Sequence, residues 1–321
     1  GDEVMKQKRK VVLIGTGFVG MSFAYSMLMT GDIDDLVLID INKEKAVGEA
    51  MDLQHGLPYA RRKIDIKAGN YDDCEDADIA VITAGATQKP GETRLDLTVT
   101  DTKIVKNVTS NIMKSGFHGV LIVACNPVDI MTYVAQKVSG LPPTKVIGTG
   151  TLLDTARLRF MLSEMLNIST NNIHAYIMGE HGDTSFVPWD HAFIGSKKLL
   201  EVIEKRDLSL DSLNKIYEDV KNAGYEIVNR KKSTYYGIGL SLNRLVNAIL
   251  NDEHTLLTIS AYQNGEYGFH GLYNGVPALI TREGIQEILE LDLSEEDLHK
   301  FHKSCTTLKE IIDTIVNPLI Q

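Results

Sequence analysis

The sequence predicts an α/β fold, with a doubly wound parallel sheet in the first half and a mixed α+β region in the second. Three observations support this prediction. A glycine-rich loop follows the first apolar run, apolar runs then alternate with helical stretches, and long helical stretches precede strand-like runs towards the end. Because 321 residues exceed most single-core domains, we expect two coupled domains, residues 1–150 and residues 151–321.

The first apolar run, Val11 to Ile14, leads directly into the loop Gly15-Thr-Gly-Phe-Val-Gly20. A helical stretch follows and is predicted to end at Gly31, and a second apolar run, Leu36 to Ile39, ends in Asp40. Glycines in this pattern let the backbone approach a pyrophosphate, which then lies on the helix N-terminus. This order of elements predicts a Rossmann dinucleotide site formed by Gly15, Thr16, Gly17, Phe18, Val19, Gly20 and Asp40.

Asp40 indicates which dinucleotide is bound. A carboxylate at this distance from the glycines accepts hydrogen bonds from ribose hydroxyls and would repel a 2′-phosphate, so it favours NAD over NADP. The alternative is a glycine-rich turn in some other α/β unit. The succession of strand, loop, helix, strand and acid argues against that alternative.

The remaining strand signals of the first half indicate where a ligand would bind. They are Ile64 to Lys67, Ile79 to Thr83, Val120 to Cys125 and Val146 to Gly148. Strands that alternate with helices form parallel sheets, and ligands of such sheets bind at the carboxyl ends of the strands. Polar segments follow three of these strands: Gly85 to Arg94, Asn126-Pro127, and the residues from Thr149 onward.

Two of these polar segments allow alternative interpretations. The loop that begins with Ala84 and Gly85 could be a lid that brings Arg94 to an electron-rich group, or an ordinary surface loop with a solvated arginine. Asn126 could donate a hydrogen bond to a ligand or cap the next turn.

His181 is the candidate proton carrier. It lies between two glycines and two carboxylates in Met178-Gly-Glu-His-Gly-Asp183, directly after an apolar run. Histidine titrates near neutral pH, and the flanking glycines allow a ligand to approach its ring. A lone histidine in a turn is more often structural, so this stretch alone does not establish catalysis.

The predicted helix from Thr151 to Leu166 carries three charged candidates. Asp154 and Arg157 are three residues apart and share a face, which fits either an intrahelical salt bridge or a functional pair. In the functional pair, Asp154 orients a histidine and Arg157 binds a carboxylate with its planar guanidinium. Arg159 is turned roughly 200° from Arg157 and should serve a different surface.

The rest of the second half combines helices with antiparallel strands. We expect helices over Leu208 to Arg230 and Ile238 to Leu250, and strands over Thr255 to Tyr262 and Val276 to Thr281. A final helix should span Ser294 to Ile315, with Ser294 as its N-cap.

Composition excludes several classes of function. The net charge of −10 argues against nucleic acid or an anionic membrane as a partner. No apolar run is long enough to span a membrane, and the run after Lys6 to Lys10 is too short for a signal peptide. No metal site is predicted. A cytoplasmic location is expected because three cysteines far apart fit a reducing compartment: Cys74, Cys125 and Cys305.

Five motifs in this order resemble the lactate/malate dehydrogenase family. They are Gly15-Thr-Gly-Phe-Val-Gly20, Gln88-Lys-Pro-Gly-Glu-Thr-Arg94, Cys125-Asn-Pro-Val-Asp129, Leu153-Asp-Thr-Ala-Arg157 and Gly179-Glu-His-Gly-Asp183. The resemblance implies NAD as cofactor and a 2-oxo acid as substrate. It further implies that His181 exchanges the proton, Asp154 orients it, and Arg157 binds the substrate carboxylate.

The resemblance also assigns the remaining site residues. Arg94 would polarise the substrate carbonyl and Asn126 would donate a hydrogen bond to it, while Thr234 would border the substrate. The residues that would contribute to the NAD site besides the glycine loop and Asp40 are Ala84, Gly85, Asn126 and Ile238.

Gln88 bears on which acid is bound. Family members that act on malate resemble this chain but carry arginine at this position, and a neutral glutamine would leave a second substrate carboxylate unpaired. We therefore expect pyruvate and L-lactate as substrates. The alternatives are a malate dehydrogenase, an L-2-hydroxyisocaproate-type dehydrogenase, and an NAD-binding protein without catalytic activity.

Arg159 and His174 match positions at which bacterial family members bind fructose 1,6-bisphosphate across a subunit interface. Cations from two subunits would repel each other until a bisphosphate neutralises them, so the ligand would favour a homotetramer. The alternative is a surface arginine and a solvated histidine.

Overall fold

The computed structural model describes residues 8–86 and 93–321, with Arg94 described by its backbone only. Twelve strands lie within these residues: β1 Lys10–Ile14, β2 Asp35–Ile39, β3 Asp65–Ala68, β4 Ile79–Ile82, β5 Val120–Val123, β6 Val146–Gly148, β7 Ile173–His174, β8 Phe193–Ile194, β9 Lys197–Lys198, β10 Thr255–Asn264, β11 His270–Thr281 and β12 Gly284–Ile288. The α-helices described are α1 Phe18–Thr30, α2 Lys43–Gly56, α3 Arg94–Lys114, α4 Val128–Ser139, α5 Leu152–Leu166, α6 Leu199–Lys205, α7 Leu210–Lys231, α8 Tyr236–Leu250, α9 Glu295–Ile311 and α10 Asn317–Ile320.

Nine strands form one sheet in the order β12-β11-β10-β6-β5-β4-β1-β2-β3, among the residues that the structure describes. The six strands of the first half pair in parallel, and their apolar runs are buried because helices cover both faces of such a sheet. Strand order reverses between β1 and β4, which creates a crevice at the carboxyl ends of these strands. The predicted doubly wound sheet is therefore confirmed.

The second half extends this sheet. Strand β10 pairs antiparallel with β6 at Ser260 and Gly148, and β11 and β12 continue outward in antiparallel order. One buried core runs through both halves. A second core lies between α5, α7 and the three-stranded sheet β7-β8-β9.

Close helix packing connects the cofactor loop to the second half. Helix α1 packs against α8, and a Cβ at Gly239 would lie 2.7 Å from the Cβ of Ser22. Only glycine therefore permits this approach of the two helices. Because α1 follows the glycine loop directly, the position of α8 is tied to that of the loop.

Several predicted boundaries hold and others need correction. Gly31 ends α1 with a φ of 74°, and Ser294 caps α9 by accepting from the backbone N–H of Asp297. The strand predicted from Val276 begins six residues earlier, at His270. Its first part was missed because glycine and polar residues interrupt the apolar pattern. Strands β7, β8 and β9 were also missed because two residues cannot show a pattern, and β12 because Gly284-Ile-Gln-Glu-Ile288 neither alternates nor forms an apolar run. Helix α6 was missed because its seven residues make only about two turns.

The membrane prediction can be compared with the helices. None of the helices in the described parts of the chain is long and apolar enough to cross a membrane.

Candidate active site

The glycine loop at the end of β1 is packed so closely that side chains are excluded. Gly15 has a φ of +104°, and a Cβ at Gly20 would lie 2.0 Å from the carbonyl oxygen of Gly15. The hydroxyl of Thr83, which follows β4, donates to this same carbonyl oxygen at 2.8 Å. The loop is thus held at the carboxyl ends of β1 and β4, and Gly17 and Phe18 within it are exposed.

Asp40 is oriented by this loop. Its Oδ2 accepts from the backbone N–H of Thr16 at 2.9 Å and from the Thr16 hydroxyl at 2.8 Å, while Oδ1 accepts from the backbone N–H of Asn42. Partial burial acts to raise the pKa of Asp40, but these hydrogen bonds outweigh it and the pKa lies below its usual value. A charged carboxylate therefore stands beside the glycine loop, an arrangement that fits a dinucleotide.

The other predicted cofactor residues lie around this crevice. Val19 and Ala84 are half-buried and Gly85 is exposed, while Ile238 is half-buried in the first turn of α8. Phe18 is 69% exposed and stacks on Tyr235, with ring centroids 5.0 Å apart. Since Tyr235 directly follows Thr234, this stacking brings the cofactor loop close to the predicted substrate residue.

His181, Asp154 and Arg157 form one hydrogen-bonded group. The Nδ1 of His181 lies 2.6 Å from Oδ2 of Asp154, and the Nη1 of Arg157 lies 3.2 Å from Oδ1 of the same carboxylate. Asp154 therefore forms the intrahelical salt bridge and also contacts the histidine ring, whereas the binding of a carboxylate by Arg157 stays a prediction. Because Nδ1 faces Asp154, Nε2 is the ring atom available for proton exchange.

Electrostatics in this group favour the charged forms. Burial acts to raise the pKa of Asp154, but His181 and Arg157 outweigh it and hold the pKa below its usual range. Burial acts to lower the pKa of His181, but Asp154, and to a smaller extent Asp129, raise it above its usual value. Each member of the pair thus stabilises the charged form of the other.

The loop that carries His181 is held from three remote elements. Gly179 exchanges two backbone hydrogen bonds with Gly275 in β11, at 2.9 and 3.1 Å. The backbone N–H of Glu180 donates to the Ser304 hydroxyl in α9 at 2.6 Å, and the backbone N–H of His181 donates to Asp129 in α4 at 2.9 Å. Sequence reasoning missed these contacts. Asp129 belongs to one of the five motifs, but its position in the sequence does not indicate a contact with His181.

Asn126 lies exposed at the carboxyl end of β5, before a cis peptide bond to Pro127. Pro127, and not Asn126, is the N-cap residue of α4, so the capping alternative for Asn126 is wrong. Asn126 is therefore placed at the end of the sheet at which the glycine loop is also held.

Arg159 and His174 lie on another surface. The Nε of Arg159 donates to the carbonyl oxygen of Ala175 at 3.2 Å, and its guanidinium lies 5.8 Å from the ring centroid of Tyr176. Burial lowers the pKa of Arg159. Since the exposed His174 directly precedes Ala175, the structure brings the two predicted residues together, away from Asp154.

Two predicted site residues are not placed. Gln88 lies outside the described residues, and Arg94 is described only as the first residue of α3, after the N-cap Thr93. Within the described residues, no cluster of three or more His, Cys, Asp or Glu side chains could hold a metal ion.

Two family models match: the NAD binding domain of lactate/malate dehydrogenases over residues 9–148, and their alpha/beta C-terminal domain over residues 151–318. The chain is 52% identical to an L-lactate dehydrogenase 2 of Bacillus cereus, over 96% of this chain and 98% of that protein. It is 49% identical, with the same coverage, to an L-lactate dehydrogenase of Lactococcus lactis subsp. cremoris.

Solved structures give the same result. The minor L-lactate dehydrogenase from Enterococcus mundtii, in its ligands-bound form, superposes with a TM-score of 0.95 at 46% identity. The match covers 97% of this chain and 99% of that one.

Proposed function

Because the chain belongs to the lactate/malate dehydrogenase family, we propose that it catalyses the reversible reduction of pyruvate to (S)-lactate by NADH. The predicted family is confirmed by these matches, and the protein is an NAD-dependent oxidoreductase. The observation that carries the proposal is the 2.6 Å contact between His181 and Asp154 beside Arg157.

The cofactor supplies a hydride to the substrate carbonyl carbon when it is bound. Nε2 of His181 donates a proton to the carbonyl oxygen, and Asp154 holds the ring and stabilises the imidazolium before transfer. Arg157 binds the substrate carboxylate with the part of its guanidinium that does not contact Asp154. Asn126, Thr234 and the loop residue Arg94 complete the substrate site, in roles taken from their motif positions.

We further propose which function each half of the chain has. Residues 1–150 bind NAD through the glycine loop, Asp40, Ala84 and Gly85, with Ile238 contributed by the second half. Residues 151–321 supply His181, Asp154, Arg157 and Thr234. The relatives named above are L-lactate dehydrogenases, and Gln88 supports the same preference for a monocarboxylic acid.

The test is NADH oxidation with pyruvate, oxaloacetate and longer 2-oxo acids. We expect pyruvate to give the highest kcat/KM, and a His181→Asn variant to lose at least about a thousandfold in kcat while it still binds NADH. A Gln88→Arg variant should gain activity on oxaloacetate because it pairs the second carboxylate. Faster reduction of oxaloacetate or of a longer acid by the unmodified protein would overturn the proposed substrate.

We propose fructose 1,6-bisphosphate as an activator that binds at Arg159 and His174. Two observations support an anion site: Arg159 donates to the carbonyl oxygen of Ala175, the residue next to His174, and burial of the Arg159 guanidinium lowers its pKa and makes it costly to charge. The expected result is a lower pyruvate concentration at half-maximal rate when the bisphosphate is added. An Arg159→Gln variant should lose this response and the matched surface variant Arg230→Gln should keep it; an unchanged curve for the unmodified protein would contradict the proposal.

A homotetramer is proposed for the assembly. Large apolar side chains are exposed on helices that pack together or lie next to one another: Tyr25 and Met29 on α1, Val47 and Met51 on α2, Phe160 on α5, and Tyr236 and Leu240 on α8. Exposed apolar side chains in this number favour association between subunits. Sedimentation equilibrium with and without fructose 1,6-bisphosphate measures the assembly, and a monomer under both conditions would contradict it.

A cytoplasmic location is the remaining proposal. The three cysteines are free and buried, as expected for a protein of a reducing compartment. Fractionation of the source cells would place the activity in the soluble cytoplasmic fraction, and activity in the medium would contradict this location.

A further inference from the structure

Asp129 is a buried carboxylate to which neither the sequence motifs nor the proton transfer assigns a task. It is 2% exposed, lies in the first turn of α4, and has both oxygens in hydrogen bonds. Oδ2 accepts from the backbone N–H of His181 at 2.9 Å, and Oδ1 accepts from the hydroxyl of Ser260 in β10 at 2.5 Å. One side chain thus joins α4, β10 and the loop of the proton carrier.

Burial of this carboxylate is unfavourable for the fold. It raises the pKa of Asp129 to about 6, although the hydrogen bonds from Ser260 and from the His181 backbone act in the opposite direction. A neutral asparagine could accept from the same backbone N–H at lower desolvation cost. The charge of Asp129 is therefore better explained by a role at the His181 site than by a contribution to the stability of the fold.

The position of the charge supplies this explanation. His181 lies between two carboxylates from different helices, Asp154 at its ring and Asp129 at its backbone. The other charged groups that act on the two are Arg157, which opposes the charging of His181, and Glu180, which opposes the charging of Asp129. Asp129 is thus a second negative group next to His181, at its backbone N–H rather than at its ring.

We propose that Asp129 is a positioning residue for proton transfer: it fixes the backbone of His181 and its negative charge stabilises the imidazolium. The inference rests on the role proposed for His181 and deepens it. Residues Gly179 and Glu180 keep their own contacts with Gly275 and Ser304, so loss of the Asp129 charge should leave the loop folded.

The matched variants are Asp129→Asn and Ser304→Ala. The first keeps the shape of the side chain and removes its charge, and the second removes a neutral contact with the same loop. Each is compared with the unmodified protein in kcat and KM for pyruvate from about pH 5.5 to 9.5, in NADH affinity by fluorescence, and in the NMR titration of the His181 ring. A third variant, Ser260→Ala, removes a hydrogen bond that stabilises the ionised form of Asp129 and leaves Asp129 itself in place.

Pyruvate reduction requires protonated His181, so its rate falls as the pH rises through the pKa of His181. We expect Asp129→Asn to lower kcat about tenfold and to move this fall to lower pH, with NADH affinity unchanged. Ser260→Ala should shift the pH of this fall in rate in the same direction but by less, and Ser304→Ala should leave that pH unchanged. A fall at the same pH in Asp129→Asn and in the unmodified protein would overturn the inference, whatever happens to kcat.

Failure of the proposed function would give a different result. It would leave the unmodified protein without pyruvate turnover, whereas failure of this inference leaves turnover present and the pH profiles of the two proteins identical. In the first case the NMR titration still measures whether Asp129 acts on His181, because it needs no substrate. A titration of the His181 ring that is unchanged by Asp129→Asn would then overturn the inference.

Discussion

Replacement of Asp154 by asparagine removes the charge that faces the His181 ring and retains the shape of the side chain. The contact is 2.6 Å between Nδ1 and Oδ2, in a half-buried setting. For charge centres about 4 Å apart and an effective dielectric constant of about 20, Coulomb attraction stabilises the imidazolium by about 4 kcal/mol. The variant also leaves the Arg157 cation without its carboxylate, and Arg157 then opposes protonation of His181 more strongly.

The expected loss follows from this energy. A tenfold change in rate corresponds to about 1.4 kcal/mol, so about 4 kcal/mol would reduce kcat/KM for pyruvate by up to about a thousandfold. The amide can still accept from Nδ1–H, which offsets part of this loss, and we expect a reduction of about a hundredfold to a thousandfold. The fall in rate with rising pH should move to lower pH, because the group that raises the pKa of His181 has lost its charge.

The assay is steady-state NADH oxidation as a function of pH, with NADH binding measured in parallel. Asp190→Asn is the matched control, since Asp190 is an exposed carboxylate nine residues after His181 and takes no part in the proposed chemistry. The electrostatic reasoning would be refuted if kcat/KM for Asp154→Asn were within about tenfold of the value for the unmodified protein and the rate fell at the same pH in both.

Four further predictions follow from other parts of the structure. Gly20→Ala places a Cβ 2.0 Å from the carbonyl oxygen of Gly15 and should lower the free energy of unfolding by about 3 kcal/mol in urea, whereas Gly17→Ala, with nothing within 4 Å, should change it by less than about 0.5 kcal/mol. Equal losses would contradict this packing argument. Asp40→Ser should weaken NADH binding and lower the preference for NADH over NADPH at least about tenfold, and an unchanged ratio of the two dissociation constants would show that Asp40 does not select the cofactor. Asp129→Asn should gain stability relative to the unmodified protein as the pH rises from about 4 to about 6, and should keep a gain of up to about 3 kcal/mol at higher pH. The reason is that the fold raises the pKa of Asp129 from 3.8 to about 6 and thereby favours its protonated form; a gain in thermal unfolding that does not grow over this range would contradict it. The three buried cysteines, whose pKa values burial raises to about 12, should not react with a thiol reagent at about pH 8 until the protein unfolds, and rapid reaction of the folded protein would contradict their burial.

Much of the fold could be predicted because it depends on patterns within short segments. The sequence from Val11 to Asp40 contains a β-branched run, a glycine loop, a helix that ends at Gly31 and a second buried run, and each of these has a local physical cause. The pairing of Asp154 with Arg157 could also be predicted, because residues three apart share a helix face. Strands such as β7 and β12 could not, since β7 has only two residues and β12 neither alternates nor forms an apolar run.

Only part of the candidate site could be predicted from the sequence. The five motifs identified His181, Asp154 and Arg157, but a motif does not state which atom faces which. The 2.6 Å contact at Nδ1, and with it the availability of Nε2, comes from the packing of the His181 loop against α5. Arg159 and His174 were paired from motif positions, and their adjacency depends on the pairing of β7 with its neighbours.

The sequence by itself determined the family, the order of strands and helices in the first half, and the residue types available for proton and hydride transfer. Only the tertiary structure decided how His181 is held, through Asp129, Gly275 and Ser304, which lie 52, 94 and 123 residues away from it in the sequence. The physical reason is that local periodicity specifies which face of an element a residue occupies. Contacts between distant elements arise only when the sheet and helices pack, because the free energy of burial is shared by the whole core.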